Sequence, residues 1–158
     1  MSVVYLGVGS NIGDKEANCR EALKRLEDIG DTRVTKVSAL YPTKAVGGPP
    51  QEDYINGVAR LETDMTPEKC LDALKSIEDG MGREPADKDH PRLIDLDILL
   101  YDDLVLSTDK LKIPHPRMHR RYFVLRGLAE IAPFVMHPLT GKTAEELYED
   151  ITVTAGYI

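Results

Sequence analysis

Two carboxylates carry the clearest chemistry in the chain. Asp95 and Asp97 stand two residues apart within the apolar run LIDLDILL at 93–100. A short Leu/Ile run without an internal turn residue reads as a β-strand. An unpaired carboxylate in an apolar interior would cost on the order of several kcal/mol. Alternate side chains of a strand share a face. Ile94, Leu96, Ile98 and Leu100 are therefore expected to point to the core, and Asp95 and Asp97 together to the opposite face, one the helices leave uncovered. Held on a rigid strand, the pair could ligate one or two hard cations through oxygen. A generic D-x-D can equally be two solvated carboxylates. Repulsion between like charges on one face, with Leu93 and Leu99 beside them, favours metal here. Two protein carboxylates completed by water and phosphate oxygens suit Mg²⁺ better than Ca²⁺.

The counter-charge lies close by in sequence. Between Lys110 and Ala129 there are six Lys or Arg residues, plus His115 and His119, and no acid. In a chain of net charge −7 this is a pronounced local asymmetry. Arg83, Lys88 and Arg92 flank the aspartates from the other side. Any one of these is ordinarily a solvated charge. Two basic arms around a D-x-D strand, however, suit a polyphosphate with bound Mg²⁺. Neither GxxxxGK[ST] nor GxGxxG occurs, so side chains and metal must hold any nucleotide. The sequence offers no Ser-His-Asp type of nucleophile and base, which fits phosphoryl transfer, where positioning and charge stabilisation dominate.

The elements that must position these groups follow from pattern. VVYLGVG (3–9) reads as a strand, and Cys19, Ala22, Leu23, Leu26 and Ile29 as a helical stripe with Gly30 at the C-cap. Strand-like TRVTKVSALYPTKAV follows, then a Gly/Pro loop and an alternating strand over YINGVARLETD. Thr66-Pro67-Glu68 starts a second helix, with Leu71, Leu74, Ile77 and Met81 as its stripe and Gly80 and Gly82 at its end. After the aspartate strand come a short hairpin at DDLVLS, the basic segment, a helix from Phe123 to Ile131 stopped by Pro133, and one more short helix. The order β-α-β-β-α-β predicts an α+β fold with a ferredoxin-like core: a mostly antiparallel sheet, helices on one face, and an extra C-terminal hairpin and helices. Residues 1–158 are expected to form one domain.

Composition excludes several classes. The N-terminus lacks a charged leader and a long apolar region, and no segment is long and apolar enough to span a bilayer. Cys19 and Cys70 are isolated, which argues against a disulfide framework or thiolate zinc site and suits a reducing, cytoplasmic setting. The acidic balance disfavours membrane and nucleic-acid partners.

GSNIGD at 9–14, PRLIDLDILL at 91–100 and IPHPRMHRRYFVL at 113–125 together resemble the 6-hydroxymethyl-7,8-dihydropterin pyrophosphokinases of folate biosynthesis, nearly end to end. The resemblance implies transfer of pyrophosphate from ATP to the pterin hydroxymethyl oxygen, giving AMP, with two Mg²⁺ ions held by Asp95 and Asp97. It implies that Arg83 and Arg92 act from a loop closing over ATP. Lys88, Lys110, His115 and Arg121 would contact ATP, with Lys75 and Glu78 near the nucleotide and Ile98 and Lys112 framing the adenine. For the pterin it implies stacking between Tyr54 and Phe123, reading of its edge by Asn56, and a lining of Thr43, Ala45 and Val46 beside Asp95. From the residues alone Phe123 would be core, whereas Asn56 in mid-strand is poorly explained by packing. The resemblance further implies a monomer.

The loop at 83–91 departs from the family pattern, with Pro85, Lys88, Asp89 and His90 at places where additional Arg and an aromatic are common, so looser capture of ATP is expected. Two other readings compete. A D-x-D phosphohydrolase using His115 would need further metal ligands, such as a His cluster. A non-catalytic, ferredoxin-like nucleic-acid-binding domain would need stacking aromatics on a basic sheet face, and only Tyr54 qualifies.

Overall fold

β-Branched residues and two glycines in SVVYLGVGS build strand β1 (Ser2–Ser10), which lies inside the sheet, flanked on both sides by antiparallel neighbours. The computed structural model describes residues 1–43, 53–82 and 93–154. Helix α1 (Lys15–Glu27) follows, capped by the Asp14 side chain, whose Oδ1 accepts the Ala17 N–H at 3.2 Å. Strands β2 (Thr32–Val37), β3 (Tyr41–Thr43) and β4 (Tyr54–Thr63) come next. Helix α2 (Pro67–Gly80) starts as its sequence predicts, with Thr66 as N-cap and Pro67 in the first turn. Strand β5 (Asp95–Tyr101) carries the aspartates. A two-stranded ribbon of β6 (Leu106–Ser107) and β7 (Lys112–Ile113) leads to a 3₁₀ turn (Met118–Arg120), α3 (Tyr122–Ile131) and α4 (Ala144–Thr154).

The main sheet has the order β2-β4-β1-β5, with β3 paired to β4, and every pairing is antiparallel. One face packs against α1 and α2: Val4, Leu6, Ala59, Leu61, Leu96 and Ile98 meet Cys19, Leu23, Leu26, Leu74 and Ile77. Burial raises the thiols of Cys19 and Cys70 to about 12 and about 11, so both behave as small apolar core groups. Among the described residues no helix is long and apolar enough to cross a membrane.

Three expectations need correction. The sheet carries helices on both faces and not on one. Tyr5, Val58, Leu99 and Leu100 form a second core with Val124, Leu128 and Ile131 of α3 and with Ala144 of α4. An apolar helix stripe declares that it must be buried, not which side of the sheet will bury it. Leu100 belongs to that second core, not to the side shared by Leu96 and Ile98. The register shifts between Tyr5 and Leu6, which pair with Leu100 and Ile98, so Leu99 is the extra residue of a bulge and the alternation flips beyond it. Finally, the left-handed residue after α1 is Asp31 (φ 59°) and not Gly30. Asp is one of the few non-glycine residues that tolerates this conformation.

Candidate active site

Before the bulge, β5 alternates as its sequence predicts: Leu96 and Ile98 go into the core with α1 and α2, while Asp95, Asp97 and Leu99 line a cleft on the opposite face. This cleft, about 570 Å³ in volume, opens where α3 stops covering the sheet. Its floor is the backbone of Gly7 and Gly9 on β1, paired with Asp97 and Asp95 across the ladder. Gly9 also faces Asn56 on β4, and a Cβ there would lie 2.4 Å from Asn56 Oδ1. Absence of that side chain lets the Asn56 amide lie across the floor, where its Nδ2 donates to Thr43 Oγ1 at 2.5 Å.

The walls bring together residues distant in sequence. Tyr54, Asn56 and Thr43 come from β3 and β4, Phe123 from the first turn of α3, and Arg117, Arg120 and Arg121 from the 3₁₀ turn and its flanks. The cleft thus opposes two carboxylates and three guanidiniums, with aromatic rings beside them. Flat heterocycles and phosphates are the ligand classes this combination suits.

His115 stands at the basic edge. Burial, with Arg121 and Arg117 close by, pushes its imidazole down to about 4, and Asp95 pulls the other way. It is therefore neutral at pH 7. Its Nδ1 accepts the Arg117 backbone N–H at 3.1 Å, so the ring proton sits on Nε2 and makes that atom a donor. Its own N–H binds the Leu99 carbonyl at 2.9 Å and ties the segment to β5.

Asp95 and Asp97 supply oxygen ligands only. Among the described residues there is no group of three or more His, Cys, Asp and Glu that could enclose a metal ion. Two carboxylates beside an anion-binding wall fit a hard divalent cation that completes its shell with water and phosphate oxygens, and they do not fit a caged zinc site.

The remaining expected residues are distributed unequally. Glu78 is 3 % exposed, and its Oε2 accepts the Leu96 N–H at 2.8 Å, behind the aspartate pair. The Ile98 side chain is buried in the helix-facing core, which leaves only its backbone for a ligand. Lys75 is exposed on α2 and Lys112 on β7. Lys110 lines a separate hollow of about 400 Å³ with Leu71, Asp72 and Leu111. Ala45, Val46, Arg83, Lys88 and Arg92 lie outside the described residues. Gly7, Gly9 and Tyr122 also line the cleft without having been assigned a role from sequence, whereas Arg117 and Arg120 belong to the basic arm already read as suited to a polyphosphate. Paired glycines at alternate positions of a strand were the available signal for the first two, since they mark close backbone approach.

Comparisons with known proteins identify the family. Residues 5–133 match the profile of the 7,8-dihydro-6-hydroxymethylpterin-pyrophosphokinase (HPPK) family. The chain is 39 % identical, over 97 % of its length and 94 % of the relative's, to the 2-amino-4-hydroxy-6-hydroxymethyldihydropteridine pyrophosphokinase of Aquifex aeolicus. It is 42 % identical to part of the folic acid synthesis protein fol1 of Schizosaccharomyces pombe, covering 94 % of this chain and 20 % of that protein. The fold also matches the Plasmodium falciparum HPPK-DHPS structure with pterin and p-hydroxybenzoate, with a TM-score of 0.76 at 16 % identity, over 99 % of this chain and 44 % of that one. With the family profile over residues 5–133 and a relative matched over 97 % of the chain, the chain belongs to the 7,8-dihydro-6-hydroxymethylpterin-pyrophosphokinase family.

Proposed function

We propose that the chain transfers pyrophosphate from ATP to 6-hydroxymethyl-7,8-dihydropterin, releasing AMP, as a step of folate biosynthesis. The observation that carries this reading is the single cleft in which Asp95 and Asp97 face Arg117, Arg120 and Arg121 beside Tyr54 and Phe123. The reaction is in-line attack of the pterin hydroxyl on the β-phosphorus, with AMP as leaving group. Asp95 and Asp97 would hold two Mg²⁺ ions, which when bound neutralise phosphate charge and align the transferring group. Arg121, with Arg117 and Arg120 beside it, adds fixed positive charge where negative charge accumulates. His115 donates from Nε2 as a neutral ring, which supplies direction without a second ionisation. Tyr54 and Phe123 take the two faces of the pterin, and Asn56, steadied by Thr43, reads its edge.

In this reading Arg83, Lys88 and Arg92 close over ATP, and Ala45 and Val46 complete the pterin lining. The adenosine end lies along the free edge of β5, near Lys75, Glu78, Ile98, Lys110 and Lys112. Residues 1–158 act as one monomeric, cytoplasmic domain with a ferredoxin-like core, a topology supported by the insertion of β4 between β1 and β2 in the sheet. Nucleic acid is not a partner, because acids occupy the strand face where bases would stack.

The test is AMP formation from ATP and Mg²⁺ with and without 6-hydroxymethyl-7,8-dihydropterin. Pterin-dependent AMP supports the reading. ADP or free phosphate, formed regardless of pterin, refutes it in favour of a hydrolase.

A further inference from the structure

Beside the core stripe of Val124, Leu128 and Ile131, helix α3 carries a row of Phe123, Gly127 and Glu130, spaced i, i+4 and i+7. Phe123 lines the cleft. Gly127, at the middle, lies where an added Cβ would stand 2.7 Å from Val58 Cγ2 and 3.1 Å from Ser38 Oγ, so the helix backbone rests directly on β4. At the far end the Glu130 carboxylate takes two donors from the segment entering β3. The Ala39 N–H donates to Oε2 at 2.9 Å, and the Tyr41 hydroxyl donates to Oε1. Arg126, one turn earlier on α3, lays its guanidinium over the Tyr41 ring, 3.9 Å from the centroid.

The strand gripped in this way carries the opposite wall of the cleft. Tyr41 pairs with Asn56 and Thr43 with Tyr54 across β3 and β4. We infer that Glu130, together with Tyr41 and Arg126, is a positioning residue that fixes the distance between Phe123 on α3 and the Tyr54–Asn56 wall, and so sets the thickness of the slot for a flat heterocycle. The inference rests on the pterin reading given above.

The mechanics are those of a lever. Phe123 and Glu130 are roughly 10 Å apart along the helix axis. Gly127 lies between them, where the helix backbone comes closest to β4 and the buried side chains of Val124 and Leu128 leave it as the fulcrum. A helix held at the Glu130 end keeps its Phe123 end in register, and one released there can rock about Gly127. Neither Glu130 nor Tyr41 is among the residues lining the cleft, so an effect of either on the heterocycle must pass through the walls.

The experiment is a fluorescence titration of oxidised 6-hydroxymethylpterin onto the full chain, with Mg²⁺ and α,β-methylene ATP present, alongside a separate titration of that nucleotide. Glu130→Ala should raise the pterin Kd about tenfold and leave the nucleotide Kd within about twofold. Glu130→Gln keeps one acceptor oxygen and should recover part of the loss. Tyr41→Phe removes only the hydroxyl and should weaken pterin binding by a smaller factor, which keeps the test available if Glu130→Ala fails to fold. Unchanged pterin affinity in the variants, or equal loss of pterin and nucleotide affinity, overturns the positioning role. An unsubstituted chain that binds the nucleotide but not the pterin overturns the pterin reading itself.

Discussion

Removal of the Glu78 carboxylate tests how the aspartate strand is held. Glu78 lies on α2, is 3 % exposed, and its Oε2 is 2.8 Å from the Leu96 nitrogen. Leu96 sits between the two aspartates on β5, an outer strand of the sheet, so among the described residues its outward N–H has no neighbouring strand to bind. Glu78→Ala leaves that donor buried without its acceptor, at a cost of about 1–3 kcal/mol. For a chain of 158 residues, each kcal/mol lowers Tm by about 2–4 °C, so the expected fall is about 2–12 °C. Glu78→Gln keeps an acceptor oxygen for the Leu96 N–H and should lose less than Glu78→Ala. The assay is thermal and urea unfolding of both variants, with Mn²⁺ titration as a readout of the carboxylate pair. Weaker ion binding should accompany Glu78→Ala, since the strand that sets the carboxylate spacing has lost its outer tether. A Glu78→Ala variant as stable as the unsubstituted chain, or a Glu78→Gln variant as damaged as Glu78→Ala, would refute this reasoning.

Other expectations follow from the site. Asp95→Asn and Asp97→Asn should each lower the AMP-forming rate by about three orders of magnitude or more, with Tm unchanged or raised by relief of like-charge repulsion; steady-state kinetics and calorimetry check both. His115 has a folded-state value, about 4, below its ordinary 6.5, so the folded chain binds fewer protons there than the unfolded chain. Its contribution is complete above pH 6.5 and is lost as pH falls toward 4, and His115→Asn should flatten this slope in urea titrations of the metal-free protein. Gly9→Ala places a Cβ 2.4 Å from Asn56 Oδ1 and should cost about 1–3 kcal/mol, with a raised KM for the pterin and little change for ATP. Asp89→Trp, outside the described residues, should lower KM for ATP by restoring an aromatic at that place; unchanged kinetics would remove the idea.

What could be read from sequence was whatever a local period or a single residue's chemistry decides. Alternation placed Asp95 and Asp97 on one face, and Thr66-Pro67 marked the start of α2. The bulge after Ile98 was invisible because Leu99 and Leu100 are both apolar, and either side of the sheet offered them a core. The covering of the second face by α3 and α4 depends on the path of the chain, which a helix stripe does not encode. The basic segment looked like one arm. In three dimensions the ribbon sends Lys110 to another hollow, while the 3₁₀ turn folds Arg117, Arg120 and Arg121 into the cleft. Phe123 illustrates the converse limit: its apolar setting argues for core, and it both borders the second core and lines the cleft.

The outer edge of β5 has one more consequence, for behaviour at high concentration. An unpaired strand edge is a template on which a second molecule can add its own strand. Along β5 the Leu96 N–H is covered by the Glu78 carboxylate, and the Leu99 carbonyl by the His115 N–H at 2.9 Å. Between these two plugs an incoming strand finds too short a row of free peptide groups to propagate a ladder. The contacts that hold the aspartates in place thus also guard the sheet against edge-to-edge aggregation. Variants that loosen them should show turbidity and slow self-association well below their melting temperature.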